Sequence, residues 1–130
     1  MSAALLDTHA IHWWSAEPDR LSPRARRVLK AADELLVAAV SWYELAWLAE
    51  RQRISVEIPI RSWLEGLGVQ VRTLGVTPAI AASAAALPSS FPRDPTDRLI
   101  YATAIEHGVK LVTRDRAIAK HDKPRSLVVW

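Results

Sequence analysis

Four carboxylates that lie far apart along the chain could together hold a divalent cation. Each follows a short apolar segment or lies near the start of a predicted helix, and the four are Asp7, Glu44, Asp97 and Asp115. Hard cations such as Mg²⁺ and Mn²⁺ prefer carboxylate oxygens and water, and they leave coordination positions open for a phosphate. Such a cation can activate water and stabilise the leaving oxygen of a displacement. These residue types therefore indicate hydrolysis of a phosphodiester.

Each of these acids also has a simpler explanation. Asp7 could cap the first helix, and Asp115 could form a turn between two arginines. Asp97 lies in the first turn of a helix, where a negative charge is favourable, and Asp94 is the expected N-cap of the same helix. Glu44 is the hardest to explain in this way, because an unpaired acid in a very apolar helix is costly. Of the two acids at the start of the later helix, we assign Asp97 to the metal and Asp94, the expected N-cap, to capping.

Alternating strands and helices are predicted to bring the four acids to one edge of a sheet. The predicted strands span residues 3–6, 34–39, 69–74, 110–113 and 126–130. The predicted helices span 9–15, 23–32, 41–51, 60–67, 78–86 and 95–106, with Ser22, Ser41 and Thr77 as N-caps. This alternation predicts one α/β domain over residues 1–130, with helices on both faces of a mostly parallel sheet of about five strands. Ligands of such folds bind at the carboxyl ends of the strands.

Composition narrows the class of protein. The chain has 130 residues and 50% hydrophobic residues, which suits one domain with a sizeable core. The absence of cysteine excludes disulfides and thiolate metal sites, so a metal would need oxygen or imidazole ligands. No apolar run is long enough to suggest a membrane span, and the first residues lack the pattern of a secretory signal. We expect a cytoplasmic protein with no membrane association.

The charge balance favours a polyanionic partner. Lys and Arg total 17 against 14 for Asp and Glu, and only 10 acids remain once the four candidate ligands are set aside. A basic surface around a cation-neutralised site favours nucleic acid. Four arginines flank the acids in sequence and could bind phosphates: Arg93, Arg98, Arg114 and Arg116. The more distant basic residues Arg26, Arg27 and Lys30 are expected to be solvated.

Histidines and aromatic residues suggest further contacts. His9 and His12 are too few for a zinc site, and we expect them to pack or to contact substrate near the cleft. Six tryptophans are expected to lie mostly in the core, although some could stack on RNA bases. The helix containing residues 42–49 is apolar on nearly every side, so part of it is expected to meet a second subunit or another protein.

The chain resembles the PIN-domain ribonucleases, specifically the VapC-type toxins of toxin-antitoxin pairs. The motifs that carry the resemblance span residues 5–8 (Leu-Leu-Asp-Thr), 40–45 (Val-Ser-Trp-Tyr-Glu-Leu), 93–104 (Arg-Asp-Pro-Thr-Asp-Arg-Leu-Ile-Tyr-Ala-Thr-Ala) and 111–115 (Leu-Val-Thr-Arg-Asp). Each is short, but their order and spacing extend over nearly the whole chain.

The resemblance implies a three-layer α/β/α PIN-like fold and a toxin that cleaves RNA with Mg²⁺ or Mn²⁺. It implies that a cognate antitoxin protein holds the toxin inactive, and we expect the toxin to form a homodimer. The family's four acids correspond to Asp7, Glu44, Asp97 and Asp115, and Thr113 matches a hydroxyl near the last of them. Ser41, inside the second motif, is a further candidate for contact with the substrate or with the metal-binding acids.

Two other classes of function use similar residues. A magnesium-dependent phosphotransfer domain also clusters acids, but it needs a lysine after a late strand, where this chain has Thr113-Arg114-Asp115. A non-catalytic module that binds RNA or a protein partner would use its acids only as helix caps. Metal binding near the four acids would separate the enzymes from the module.

Overall fold

Five short strands form one parallel sheet at the centre of the molecule. In the computed structural model, which describes residues 2–130, the strands are β1 (Ala3–Leu6), β2 (Glu34–Ala38), β3 (Arg72–Leu74), β4 (Lys110–Val112) and β5 (Val128–Val129). Their order is β3-β2-β1-β4-β5, and every neighbouring pair is parallel. The chain leaves β1 on one side to reach β2 and returns on the other side as β4. The switch point of the sheet therefore lies at the carboxyl end of β1, next to Asp7.

Seven helices within residues 2–130 surround the sheet. They are α1 (Thr8–Ala16), α2 (Pro23–Ala31), α3 (Ala39–Glu50), α4 (Ile60–Gly68), α5 (Pro78–Ala86), α6 (Pro95–His107) and α7 (Arg116–Lys120), with a 3-10 turn at Pro18–Arg20. Ser22 and Thr77 cap α2 and α5 as predicted, and a proline follows each cap. Gly108 ends α6 in a left-handed conformation that favours glycine. Within residues 2–130, no helix is long and apolar enough to cross a membrane.

Side chains that alternate along the strands build two cores on opposite faces of the sheet. Ala4 and Leu6 of β1 join the core beneath α1 and α2, whereas Leu5 joins the core beneath α6. Strand β4 divides in the same way, with Val112 in the first core and Leu111 in the second. Successive side chains of a strand point to opposite faces, so a strand buried on both sides is apolar throughout. The predicted three-layer α/β/α arrangement is confirmed.

Three features of the secondary structure differ from the prediction: the start of α3, the start of β3 and the presence of α7. Helix α3 begins at Ala39, so Ser41 lies inside the helix rather than at its N-cap, and its buried hydroxyl accepts a hydrogen bond of 3.1 Å from Thr8 Oγ1. Strand β3 contains only residues 72–74, because α4 and the turn after it extend to residue 71. Helix α7 was not predicted, since its five residues are too few for an apolar period.

The tryptophans lie mainly in or against the first core, as expected. Trp13 is buried, and the other five are half-buried and pack against the same core. In α3, the Trp42 Nε1 group donates a hydrogen bond of 3.0 Å to Thr73 Oγ1, and the Arg51 guanidinium lies 4.0 Å from the centre of the Trp47 ring. Tyr43 is the large side chain of α3 that stays open to solvent, with 71% of its surface exposed. Most of this apolar helix is therefore covered by its own chain.

A buried carboxylate holds the edge strand β5 in place. Asp122 accepts hydrogen bonds from the Tyr101 hydroxyl (2.8 Å) and from the backbone N–H groups of Leu127 (3.0 Å) and Val128 (2.8 Å). Burial and the bond to Asp122 raise the pKa of Tyr101 to about 12, so its hydroxyl keeps the proton that it donates. Nothing in the sequence around Asp122 singled it out, because its partners lie on two other segments, α6 and residues 127–128.

Candidate active site

One cavity at the carboxyl edge of the sheet brings the four candidate acids together. Its volume is about 610 Å³. The residues that line it are Asp7, Thr8, His9, Trp13, Glu44, Asp94, Asp97, Ile100, Arg114, Asp115 and Arg116. They come from the ends of β1 and β4, from α1, α3 and α6, and from the start of α7. The parallel sheet thus places acids that are separated by up to 108 positions in the chain around one volume.

Asp7 is held by contacts to both of its carboxylate oxygens. It is the N-cap of α1, and its Oδ1 accepts a hydrogen bond of 2.8 Å from the backbone N–H of Ala10. Its Oδ2 accepts a hydrogen bond from the Thr113 hydroxyl, which follows the neighbouring strand β4. Burial raises the pKa of Asp7, although both hydrogen bonds act in the opposite direction. The capping role and a place in the cleft are therefore compatible.

Thr113 connects the first acid to the last. Its side chain is buried, donates to Asp7 and accepts a hydrogen bond of 3.0 Å from the backbone N–H of Asp115. Asp115 is the N-cap of α7, and its Oδ1 accepts from the N–H groups of Ala117 and Ile118. Its cap contacts use Oδ1, while the residue also lines the cavity. The threonine thus fixes the spacing between two acids.

Asp97 is repelled by the four other carboxylates that line the cavity. Partial burial and repulsion from Asp94, Asp115, Glu44 and Asp7 raise its pKa from 3.8 to about 7. Asp94 caps α6 through a 2.8 Å hydrogen bond from the Thr96 N–H, as predicted, and it also lines the cavity. Its charge therefore adds to that of the other four acids. A bound cation would remove this mutual repulsion.

Glu44 lies one and a half turns into α3 rather than near its start. The residue is half-buried and lies between the acid cavity and a smaller cavity lined by Tyr43 and Trp47. No salt bridge joins it to a basic residue in the described chain. Glu44 therefore presents to the cavity a carboxylate that no basic side chain of the described chain already engages.

The four arginines near the acids have different environments. Arg114 and Arg116 are exposed and line the cavity, where they could contact phosphates. Arg93 is exposed but does not line it. The expectation for Arg98 was wrong, because its guanidinium donates to backbone carbonyls of Ala84, Leu87, Pro88, Phe91 and Pro92. Those bonds hold the loop before α6 and leave Arg98 unavailable to substrate.

Other residues of the cavity wall were anticipated only in part. His9 was expected to pack or to contact substrate near the cleft, and it lines the cavity. Trp13 also lines it, although the tryptophans were expected mainly in the core. Thr8 and Ile100 also line it, and neither was predicted as a site residue. Ser41 does not line the cavity, and it supports the cleft indirectly through its bond to Thr8. Ile100 lies three residues after a cleft acid, and residues with this spacing share one face of a helix. That spacing is the sequence signal that could have identified Ile100 as part of the cavity wall.

The donor set of the cavity fits an oxygen-preferring divalent cation. Five carboxylates line it, and their mutual repulsion is what a cation would offset. Within residues 2–130, no three Asp, Glu or His side chains already form a shared coordination shell. Binding would thus involve small side-chain rotations or intervening waters, and Mg²⁺ commonly keeps several of its waters in proteins.

Comparison with known proteins assigns the fold to a family. The PIN domain family matches residues 4–124, which is nearly the whole chain. The chain belongs to the PIN-domain family. This PIN domain is 61% identical to Ribonuclease VapC22 of Mycobacterium tuberculosis over 130 residues, which cover 100% of both chains. The resemblance found in the short motifs is confirmed.

Solved structures share the fold of this PIN domain at low sequence identity. One is DNA-bound VapBC from Salmonella typhimurium, with a TM-score of 0.71, 18% identity, and coverage of 99% of this chain and 98% of that chain. Another is a toxin-antitoxin complex from Klebsiella pneumoniae, with a TM-score of 0.69, 22% identity, and coverage of 98% and 96%. At these identities the likeness concerns the fold.

Proposed function

We propose that the protein is a metal-dependent endoribonuclease and the toxin of a toxin-antitoxin pair. The observation that carries the proposal is the cavity in which Asp7, Glu44, Asp97 and Asp115 converge. Partial burial there, together with repulsion from the neighbouring acids, raises the pKa of Asp97 to about 7. Relatedness supports the choice of substrate, because a relative with 61% identity over its full length is named a ribonuclease. The fold neighbours described as toxin-antitoxin complexes support an antitoxin as partner.

The four acids would hold Mg²⁺ or Mn²⁺. When bound, the cation would supply charge neutralisation and a means of activating water for attack on a phosphodiester. Asp7 is the most firmly placed of the four, since backbone and side-chain donors bind both of its oxygens. Arg114 and Arg116 would bind phosphates of the RNA at the mouth of the cavity.

Metal-dependent RNA cleavage is the direct test. We expect the purified protein to cut a pool of structured cellular RNAs with Mg²⁺ or Mn²⁺ and to stop in EDTA, because removal of the cation removes the means of activating water. Mapping the new RNA ends measures activity and target together. Asp19→Asn, at a fully exposed acid outside the cavity, is the matched control and should cleave normally.

Two results would contradict the proposal. Cleavage that persists in EDTA would exclude a metal mechanism. Metal binding that calorimetry cannot detect, together with no cleavage, would favour a module that only binds RNA or protein, whose acids serve as the caps seen at Asp7 and Asp115.

Thr113 is expected to act as a positioning residue. Thr113→Val removes the hydroxyl that links Asp7 to Asp115 and should lower cleavage about tenfold while raising the metal concentration needed for half-maximal activity. Thr113→Ser keeps the hydroxyl and should remain within about threefold. Thr103→Val is a matched control, since its buried hydroxyl bonds only the Leu99 carbonyl, away from the cavity. An equal loss in both valine variants would indicate a general effect on folding.

A second copy of the chain and an antitoxin are the protein partners that we propose for the surface beside the cavity. Tyr43, 71% exposed on α3, is adjacent to Glu44 and provides an aromatic surface beside the cavity. Buried aromatic residues are enriched at protein interfaces. A homodimer contact or an antitoxin segment on this side of α3 would cover it.

A further inference from the structure

A second cavity adjoins the acid cavity along α1. Its volume is about 410 Å³, and His9 and Trp13 line both cavities. Arg20 of the 3-10 turn and Arg53 of the loop after α3 line the second cavity only. This volume lies within the range of about 300–1,000 Å³ that is usual for small-ligand sites. The two cavities form neighbouring compartments separated by the His9 and Trp13 side chains.

The two compartments carry opposite charge. Five carboxylates and two arginines line the acid cavity, whereas two arginines, two histidines and the single carboxylate of Glu17 line the second. Glu17 is already engaged by His12 Nε2 at 3.2 Å and by Arg20 Nε at 3.3 Å. Arg53 is exposed and has no ion-pair partner within residues 2–130. The second cavity is thus suited to an anion. Arg53 is its arginine without an acidic partner, and the Arg53 guanidinium lies 5.7 Å from the centre of the Trp47 ring.

Side chains of the second cavity lie near aromatic rings. The Arg20 guanidinium lies 5.8 Å from the centre of the Trp13 ring, and the exposed His9 ring lies 5.8 Å from the same ring. The backbone N–H of Arg53 donates to the Leu48 carbonyl at 2.9 Å, which ties its loop to the end of α3. Flat rings beside guanidinium groups suit the bases and phosphates of single-stranded RNA.

We propose that the second cavity is a nucleotide subsite for single-stranded RNA next to the scissile phosphodiester. A phosphate of the neighbouring nucleotide binds Arg53 and Arg20, and its base packs against His9. This inference rests on the proposed ribonuclease function, because that function places the scissile phosphodiester in the acid cavity. An RNA chain has a phosphate at every nucleotide, so it can occupy the metal-neutralised compartment and the basic one together. An acidic peptide segment of an antitoxin is the competing occupant, and the adjoining carboxylates would repel it.

The test compares Arg53→Gln with Arg27→Gln. Both changes remove one positive charge, but Arg27 is exposed on α2 and lines neither cavity. On a single-stranded oligoribonucleotide, we expect Arg53→Gln to raise KM about fivefold to tenfold with kcat within about twofold, and to reduce the slope of log KM against log salt by about 0.7 to 1. Arg53→Lys should recover most of the loss, and Arg27→Gln should match the unsubstituted protein.

A binding measurement makes the outcome independent of cleavage. Fluorescence anisotropy of the same labelled RNA in EDTA should show weaker binding to Arg53→Gln than to Arg27→Gln. Equal effects of the two variants, or no binding by the unsubstituted protein, would overturn the subsite. A variant that loses only inhibition by the antitoxin would instead assign the cavity to a protein partner and also overturn it. Failure of the unsubstituted protein to cleave RNA with metal would count against the proposed function separately.

Discussion

Asp97→Asn is expected to lower RNA cleavage by at least about a hundredfold while making the metal-free protein more stable. The loss of activity follows from removing a carboxylate from the cavity that we assign to the metal. The gain in stability follows from partial burial of the Asp97 carboxylate and from repulsion by four other acids, which together raise its pKa to about 7. A residue retained at a cost in stability is typical of a functional site.

The pH dependence of this gain has a definite sign. The pKa of Asp97 rises on folding from 3.8 to about 7, so the folded state binds the proton more tightly and the carboxylate increasingly destabilises the protein as pH rises between these values. Asparagine cannot ionise, so its advantage should be near zero at pH 4 and complete above pH 7. Because Asp97 is partly open to water, we expect only about 1 to 2 kcal/mol in the free energy of unfolding.

Thermal unfolding in EDTA at pH 4 and pH 8 would measure this difference in stability. A second series of unfolding measurements would titrate the protein with Mg²⁺. The unsubstituted protein should gain melting temperature with Mg²⁺, and Asp97→Asn should gain much less. Asp94→Asn is the matched control, since it removes a neighbouring charge but keeps an N-cap for α6. It should keep cleavage within several-fold. If Asp94→Asn lost as much activity as Asp97→Asn, the assignment of separate roles to these acids would be wrong.

Asp122→Ala is expected to destabilise the protein by about 3 to 5 kcal/mol. The substitution leaves the Tyr101 hydroxyl and the N–H groups of Leu127 and Val128 without their acceptor, and each unsatisfied buried donor costs about 1–3 kcal/mol. The loss should free β5 from the sheet edge. Urea unfolding followed by tryptophan fluorescence would report it directly, since Trp130 follows β5 and packs against Trp13.

Two further variants separate the hydrogen bonds of Asp122 from a general effect of substitution. Tyr101→Phe removes one of the three donors and should cost only about 1 to 2 kcal/mol. Asp19→Ala, at a fully exposed acid, should change the free energy of unfolding by less than about 0.5 kcal/mol. A similar small change for Asp122→Ala would mean that β5 is held in some other way.

Local features of the fold could be predicted from the sequence because they depend on residues that are close together in the chain. Ser22 and Thr77 were predicted as N-caps because a side-chain hydroxyl accepts a hydrogen bond from a free N–H group of the first helical turn, and the proline that follows favours the first helical position. Apolar runs separated by helices predicted the parallel sheet, and the sheet predicted one edge for the acids. Ser41 shows the limit of this reasoning. Its hydroxyl accepts a hydrogen bond from Thr8 on α1 and does not cap α3.

The sequence by itself determined the α/β alternation, most of the helix caps and the four acids that follow strands or lie in helices beside them. Those features depend on residue type and on spacing over a few positions. Tertiary structure alone decided that Arg98 binds backbone carbonyls, that Asp122 anchors β5, and that a basic cavity adjoins the acids. Each depends on groups brought together from separate segments of the chain, and long-range packing sets those distances rather than local preference.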